Sequence, residues 1–158
     1  MKISDRKTIL RKIPYGLYIL TAPATGGPAA ALVSFVTQSS IDPPLLAVAL
    51  KTDSAAFAAV SSSRQFALHF IGREQQTLAA DFIKIKNFDG HRINGYEYAI
   101  SRRRNLLLTD SPMVLELELR QIAAIGDHHL FIGEVLETHL RRNCEILTMN
   151  QTNWHYGG

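Results

Sequence analysis

The sequence predicts a mainly β protein, a β-barrel with α insertions, on three observations. Six short stretches rich in aliphatic, β-branched and aromatic residues recur along the chain. Pro/Gly-rich and Ser-rich turns separate them, and helical periodicity surfaces in two connections only. A parallel α/β sheet would need helices alternating regularly with strands, and here they do not.

In chain order, GLYILTA (residues 16–22) opens the β pattern and stops at PATGGP, the strongest turn signal of the chain. AALVSFVTQ (30–38) restarts it, so the two runs read as a hairpin-type pair. Taken as one extended strand, this second run places Ser34, Val36 and Gln38 on one face and Val33, Phe35 and Thr37 on the other. Polar groups then lie on both faces, which suits a ligand wall better than a protein-only core. Pro43 and Pro44 cannot donate to a ladder, so the chain turns there before LLAVALK (45–51), whose continuous apolar character fits a strand buried on both faces.

TDSAAFAAVSSS (52–63) reads as a short helix with Thr52, Asp53 or Ser54 as its N-cap. QFALHFI (65–71) is a strand. REQQTLAADFIK (73–84) is a helix with Leu78, Ala79, Phe82 and Ile83 on one face, Glu74 near its start and Lys84 at its end. In VLELELRQIAAI (114–125) Leu115, Leu117 and Leu119 alternate with acids, which predicts a half-buried strand. HLFIGEVLETHL (129–140) closes the pattern.

With 158 residues, 46% hydrophobic and 20% charged, the chain is expected to be one domain over 1–158. Its single cysteine, Cys144, rules out an internal disulfide framework and fits a reducing compartment. No apolar run is long enough to span a bilayer, and MKISDRKTILRKIPYG lacks the apolar core of a secretory signal. A cytoplasmic protein without a membrane partner is expected. The net charge of +3 is concentrated nowhere except Arg102–Arg104. That run reads as a solvated loop or edge guard, as against a phosphate-docking patch. Aromatic residues do not interleave with it, so no nucleic-acid partner is expected.

Dinucleotide and P-loop fingerprints are missing, and no CxxC or HExxH spacing suggests a metal. Cys144 reads as an incidental thiol. Among the histidines, His128 stands at the mouth of a strand after a Gly126–Asp127 turn, either bonded to local backbone or aimed at a ligand. His69, inside a strand, reads as a satisfied structural histidine. Lys51, Thr52 and Ser54 at a helix start suit a phosphate cradle and ordinary capping equally well.

The segment from ALVSFVTQSSIDPPLLAVAL to QFALHFI, together with GDHHLFIGEV, resembles the flavin reductase-like, FMN-binding split-barrel family. Ser40-Ile41-Asp42-Pro43-Pro44 matches its Ser-x-Asp-Pro-Pro element, and Gly126-Asp127-His128 with Gly133-Glu134-Val135 matches its downstream signature. The likeness runs over residues 13–137, and TNWHYGG looks like the aromatic-glycine endings of some members.

The resemblance implies a homodimeric split barrel that binds FMN, or FAD. Hydride would pass from NADH or NADPH to the flavin, and electrons onward to a partner oxygenase or another acceptor. An FMN-holding electron-transfer or storage protein without appreciable turnover is the alternative. Residues 30–38, including Ala30, Leu32, Ser34, Phe35 and Thr37, would line the flavin. Gln38, Ser40, Lys51 and Ser54 would sit towards its ribityl and phosphate end. His128 would lie where the nicotinamide approaches, as the catalytic candidate, and Trp154 or Tyr156 would reach the partner's flavin.

Overall fold

The computed structural model describes residues 2–85 and 87–158. It opens with an unanticipated helix, α1 (Ile3–Leu10), that buries none of its residues and has almost no apolar face to betray it. β1 (Tyr18–Ala22) and β2 (Ala29–Val33) form the expected antiparallel hairpin, with Tyr18 opposite Val33 and Ala22 opposite Ala29.

The expected single strand over 30–38 is two. β2 ends at Val33, and β3 (Val36–Ser40) starts after a bend at Ser34 and Phe35. The Val36 N–H donates to the Ser34 carbonyl at 3.0 Å, and the Phe35 carbonyl accepts from Ala49 N–H at 3.0 Å. The two halves thus serve different ladders, and Ser34, Val36 and Gln38 do not share a strand face.

β4 (Leu45–Lys51) and β5 (Gln65–Phe70) stand as expected, joined through α2 (Ala55–Ser63), whose N-cap is Ser54. α3 (Gln76–Asp81) is shorter than its sequence pattern. Phe82 leaves the helix and its carbonyl accepts from Leu32 N–H at 2.9 Å. Leu78, Ala79 and Phe82 are buried, but Ile83 swings out and is 56% exposed, not a member of the buried face. Next come three strands not anticipated above, β6 (Arg92–Ile93), β7 (Tyr96–Ile100) and β8 (Leu106–Leu108), paired in that order as a second sheet. β9 (Met113–Ala123) and β10 (His128–Leu140) are the longest strands.

The main sheet runs β2-β1-β5-β9-β10-β4-β3, antiparallel throughout. Laid flat, its edge strands would stand six spacings apart, about 29 Å. Yet β2 and β3 are separated by two residues, Ser34 and Phe35, and Val33 to Val36 reaches at most about 11 Å. The sheet therefore curls until the end of β2 comes close to the start of β3 at the Ser34–Phe35 bend.

Inside the curl, Leu20, Val48, Phe66, Leu68 and Phe131 are fully buried and pack on Ala56, Ala59 and Val60 of α2. A second cluster under the small sheet joins Leu17, Ile19, Ile71, Phe82 and Leu108. No helix among the described residues is long and apolar enough to cross a membrane.

Gly133 sits at a register shift in β10, where a Cβ would lie 2.7 Å from the Phe66 ring and 3.2 Å from Leu117 Cβ. Gly133→Ala is expected to cost roughly 1–3 kcal/mol through overpacking. Urea unfolding reads this, and a Phe66→Leu change in the same chain recovers part of it. Full additivity of the two changes would refute the clash.

Leu117 and Leu119 of β9 are buried as the alternation predicts, with Glu118 and Arg120 on the more open face, but on that same face Glu116 is fully buried. The β7–β8 turn covers it. Its Oε2 accepts from Ser101 Oγ at 2.6 Å and Asn105 Nδ2 at 2.9 Å, and its Oε1 lies 2.7 Å from His139 Nε2. His69 is the structural histidine expected, fully buried between two strands. The Leu108 N–H donates to its Nε2 at 3.1 Å, so the proton sits on Nδ1, which donates to the Ile19 carbonyl at 2.9 Å.

Candidate functional site

A cavity of about 320 Å³ opens where the β2–β3 bend, the end of β4, the start of α2 and the C-terminal segment converge. The β4–β10 register sets His128 opposite Lys51, and the Asp127 carbonyl accepts from Thr52 N–H at 3.0 Å. Gly126, at φ 80°, supplies the left-handed turn that starts β10 at this place.

His128 is the centre of a hydrogen-bonded chain. Its Nδ1 is 3.0 Å from Asp127 Oδ1, and its Nε2 is 2.6 Å from the Tyr156 hydroxyl. The hydrogen bond from His128 is the main reason the Asp127 carboxyl lies below its usual range, so it is ionised. Burial pushes the Tyr156 phenol up, so it stays protonated. A carboxylate at Nδ1 and a hydroxyl at Nε2 favour the tautomer with the proton on Nδ1. Phe35 lies against this chain, its ring centroid 5.6 Å from His128, 5.4 Å from Tyr156 and 5.1 Å from Tyr15. Part of the cavity wall is thus a set of aromatic faces fit for a planar ring.

At the start of α2, Ser54 Oγ accepts from Phe57 N–H at 3.1 Å, so this hydroxyl does cap the helix. Among the described residues, the N–H groups of Ala55 and Ala56 have no backbone acceptor, and they remain for an outside anion. Lys51 Nζ holds Asp53 Oδ2 at 2.9 Å. That bond raises the lysine's pKa and lowers the aspartate's. Ser34 is only 6% exposed and lines the cavity, and among the described residues its hydroxyl has no partner.

Of the residues singled out from sequence, Leu32, Ser34, Phe35, Lys51, Ser54, His128 and Trp154 line this cavity. Ala30, Thr37, Gln38 and Ser40 do not. Ala30 is buried in the core beside Leu17 and Ile19. Thr37 and Gln38 are exposed on the edge strand β3, where Gln38 Nε2 donates to the Ser40 carbonyl at 3.0 Å. The bend at Ser34 is what parts the two groups.

Ala49, Ile83, Met149 and His155 also line the cavity, and none of them was singled out as a site residue. The Tyr156–His128 bond joins residues 28 positions apart, beyond any spacing rule, although the aromatic tail itself was visible. Arg102–Arg104 form a turn outside this cavity, with Arg103 Nε 3.7 Å from Glu137, and Cys144 is a half-buried free thiol. Elsewhere, ligand atoms of Glu116, Glu137 and His139 lie within 4.8 Å of one another. Both Glu116 oxygens are already hydrogen-bonded, which makes this a structural network.

Fold and cavity together define a curled-sheet protein with a ring-lined pocket beside a helix N-terminus. The chain belongs to the flavin reductase like domain family, whose model matches residues 10–157. It is 25% identical over 141 residues to an NADH:FMN oxidoreductase of Rhodococcus qingshengii, covering 89% of this chain and 72% of that one. It is 29% identical over 147 residues to a ferric-chelate reductase (NAD(P)H) of Archaeoglobus fulgidus, covering 87% and 82%. Among solved structures it superposes on BorF, the flavin reductase component of a bacterial two-component tryptophan halogenase. That match has a TM-score of 0.77 at 22% identity and covers 92% and 91% of the two chains.

Proposed function

We propose that this protein is an NAD(P)H-dependent flavin reductase that holds FMN in the cavity beside His128. The observation that carries the reading is the convergence of three features on one pocket: the unpartnered Ser34 hydroxyl, the open α2 N-terminus with Lys51, and the Asp127–His128–Tyr156 chain. FMN bound there would supply the redox chemistry, hydride acceptance from a reduced nicotinamide and two-electron transfer onward, while the residues of the cavity would hold it.

The chain's own residues bind and orient. Leu32 and Phe35 offer apolar and aromatic surface to a planar ring, while Ser34 offers a hydroxyl to its polar edge. The Ala55 and Ala56 N–H groups, with Ser54 and Lys51, face the phosphate. Asp127 and Tyr156 hold the His128 ring in one orientation and tautomer, at the wall where a nicotinamide would approach.

Residues 1–158 would act as one split-barrel domain in a homodimer. The exposed edge strand β3, with Ile41 after it at 87% exposure, supports a second copy against this edge. In a dimer, Thr37, Gln38 and Ser40 become available to the partner's cavity. The lone cysteine supports a cytoplasmic setting. The BorF likeness supports delivery of reduced flavin to an oxygenase-type partner.

FMN is expected to raise the melting temperature by mass action, and NADH or NADPH to bleach the flavin absorbance anaerobically. The Ser34→Ala/Lys51→Ala variant should weaken FMN binding by about tenfold or more. Unaltered melting in saturating FMN would sink the reading, and unaltered affinity in the variant would sink the site map.

A further inference from the structure

The phosphate end of the cavity holds more carboxylates than cations. Among the described residues, Lys51 is the only lysine or arginine in the cavity lining, and it already has an anion: its Nζ lies 2.9 Å from Asp53 Oδ2. Asp53 stands next to the α2 N-terminus, where a carboxylate commonly caps the helix. Here Ser54 Oγ takes that place by accepting from Phe57 N–H, and the Asp53 side chain turns to the lysine instead. Asp127 stands close as well. Its charge favours the protonated form of Lys51, as that of Asp53 does more strongly.

An anion that accepts a hydrogen bond from Lys51 Nζ at an ordinary distance, about 2.8 Å, comes to lie at most about 6 Å from the Asp53 carboxylate. At about that separation two like charges repel by an energy comparable to RT even in water. The Lys51 and Asp53 side chains are 50% and 71% exposed, so a ligand displaces their bond at little cost. It does not displace the charge. Asp53 is held below the usual carboxylate range, chiefly by its bond to Lys51, and is ionised at neutral pH. The repulsion therefore grows with the charge that a ligand brings. A terminal phosphate monoester carries about 1.5 to 2 negative charges near pH 7, and each phosphorus of a diphosphate bridge about one. Riboflavin carries none.

We propose that Asp53 sets specificity at the phosphate end: its carboxylate occupies Lys51 and repels a terminal phosphate monoester, so the site discriminates against FMN relative to flavins with less charge at that position. This rests on the reading of the cavity as the flavin site with its phosphate at Lys51 and α2. FMN is then held mainly through its ring, and Asp53 limits what the phosphate adds.

Flavin fluorescence titrations with FMN, FAD and riboflavin test this on the parent protein, on Asp53→Asn and Lys51→Gln, and on the double variant. Asp53→Asn is expected to tighten FMN binding by about threefold to tenfold at low ionic strength, a gain that shrinks as salt is added. Riboflavin affinity stays within about twofold, and FAD gains less than FMN. Lys51→Gln costs more FMN affinity in the Asp53→Asn chain than in the parent, because the lysine there is no longer shared. Unchanged or weakened FMN binding in Asp53→Asn overturns the proposal and makes Asp53 a support for Lys51. An equal gain for riboflavin overturns it too, since that gain does not pass through a phosphate. A parent protein that binds none of the three flavins sinks the reading of the cavity, and this proposal with it.

Discussion

Lowering the pH from about 7 to about 4 is expected to remove roughly 3 kcal/mol of folding stability through His69 alone. Burial is the main cause: the fully buried ring is pushed from its ordinary 6.5 down to about 4. Both its hydrogen bonds fit the neutral form, since Nε2 accepts from Leu108 N–H and a second ring proton would point at that donor. The unfolded chain binds a proton near 6.5, whereas the folded chain resists until about 4. The contribution is therefore complete above 6.5 and is lost as the pH falls through that window.

The carboxylates held low, such as Asp89 and Asp127, act further down. Their stabilisation is present above the ordinary carboxylate range and fades below it. Urea midpoints measured between about pH 7 and pH 4 read the slope directly. His69→Gln, less stable at neutral pH, should flatten most of it. A parent protein equally stable across this range would refute the assignment.

Glu116→Ala is expected to destabilise the fold by about 3 kcal/mol or more. The carboxylate is fully buried. Burial opposes its charge, but hydrogen bonds from Ser101, Asn105 and His139 outweigh this and hold its pKa below the usual value. Truncation leaves the Asn105 amide, itself 1% exposed, and the Ser101 hydroxyl without their acceptor and opens a void under the β7–β8 turn. Glu116→Gln keeps the shape and one acceptor oxygen, so it should recover most of the loss. Thermal and urea unfolding decide the matter, and an alanine variant within about 0.5 kcal/mol of the parent would show that the network carries no stability.

How far the fold and site were legible varies with the reach of the forces involved. LLAVALK and QFALHFI were visible because their apolar continuity is local, and Ser54 as N-cap because the signal lies within one helical turn. β6 to β8 were missed, although Asn94-Gly95, both at positive φ, is the turn signal that joins β6 to β7. Two of these strands are two or three residues long, and the small sheet is held by what it packs on, including Glu116 under the β7–β8 turn and the core beneath its own Ile93 and Leu108. The burial of Glu116 ran against its alternation with leucines, because a strand pattern shows which face is apolar and not whether a second sheet covers the other.

The candidate site divides in the same way. The hydroxyl-rich run was conspicuous as misplaced polarity, and Ser34, Phe35, Lys51 and His128 do gather at one cavity. Thr37 and Gln38 lie outside it because the Phe35 carbonyl is claimed by Ala49 of β4, so the chain leaves the β2 ladder after Val33 and joins the β4 one.

By itself the sequence determined the mainly β character, the positions of the long strands and α2, the turn that presents His128, and the likeness to flavin reductases. Each depends on periodicity or on contacts a few residues apart. The tertiary structure alone decided that the sheet curls to bring its two edges, the end of β2 and the start of β3, together. It alone sets Tyr156 on His128. Those depend on pairings between residues far apart in the chain. Closing such loops costs entropy that only the assembled sheet and core offset, and no local pattern records it.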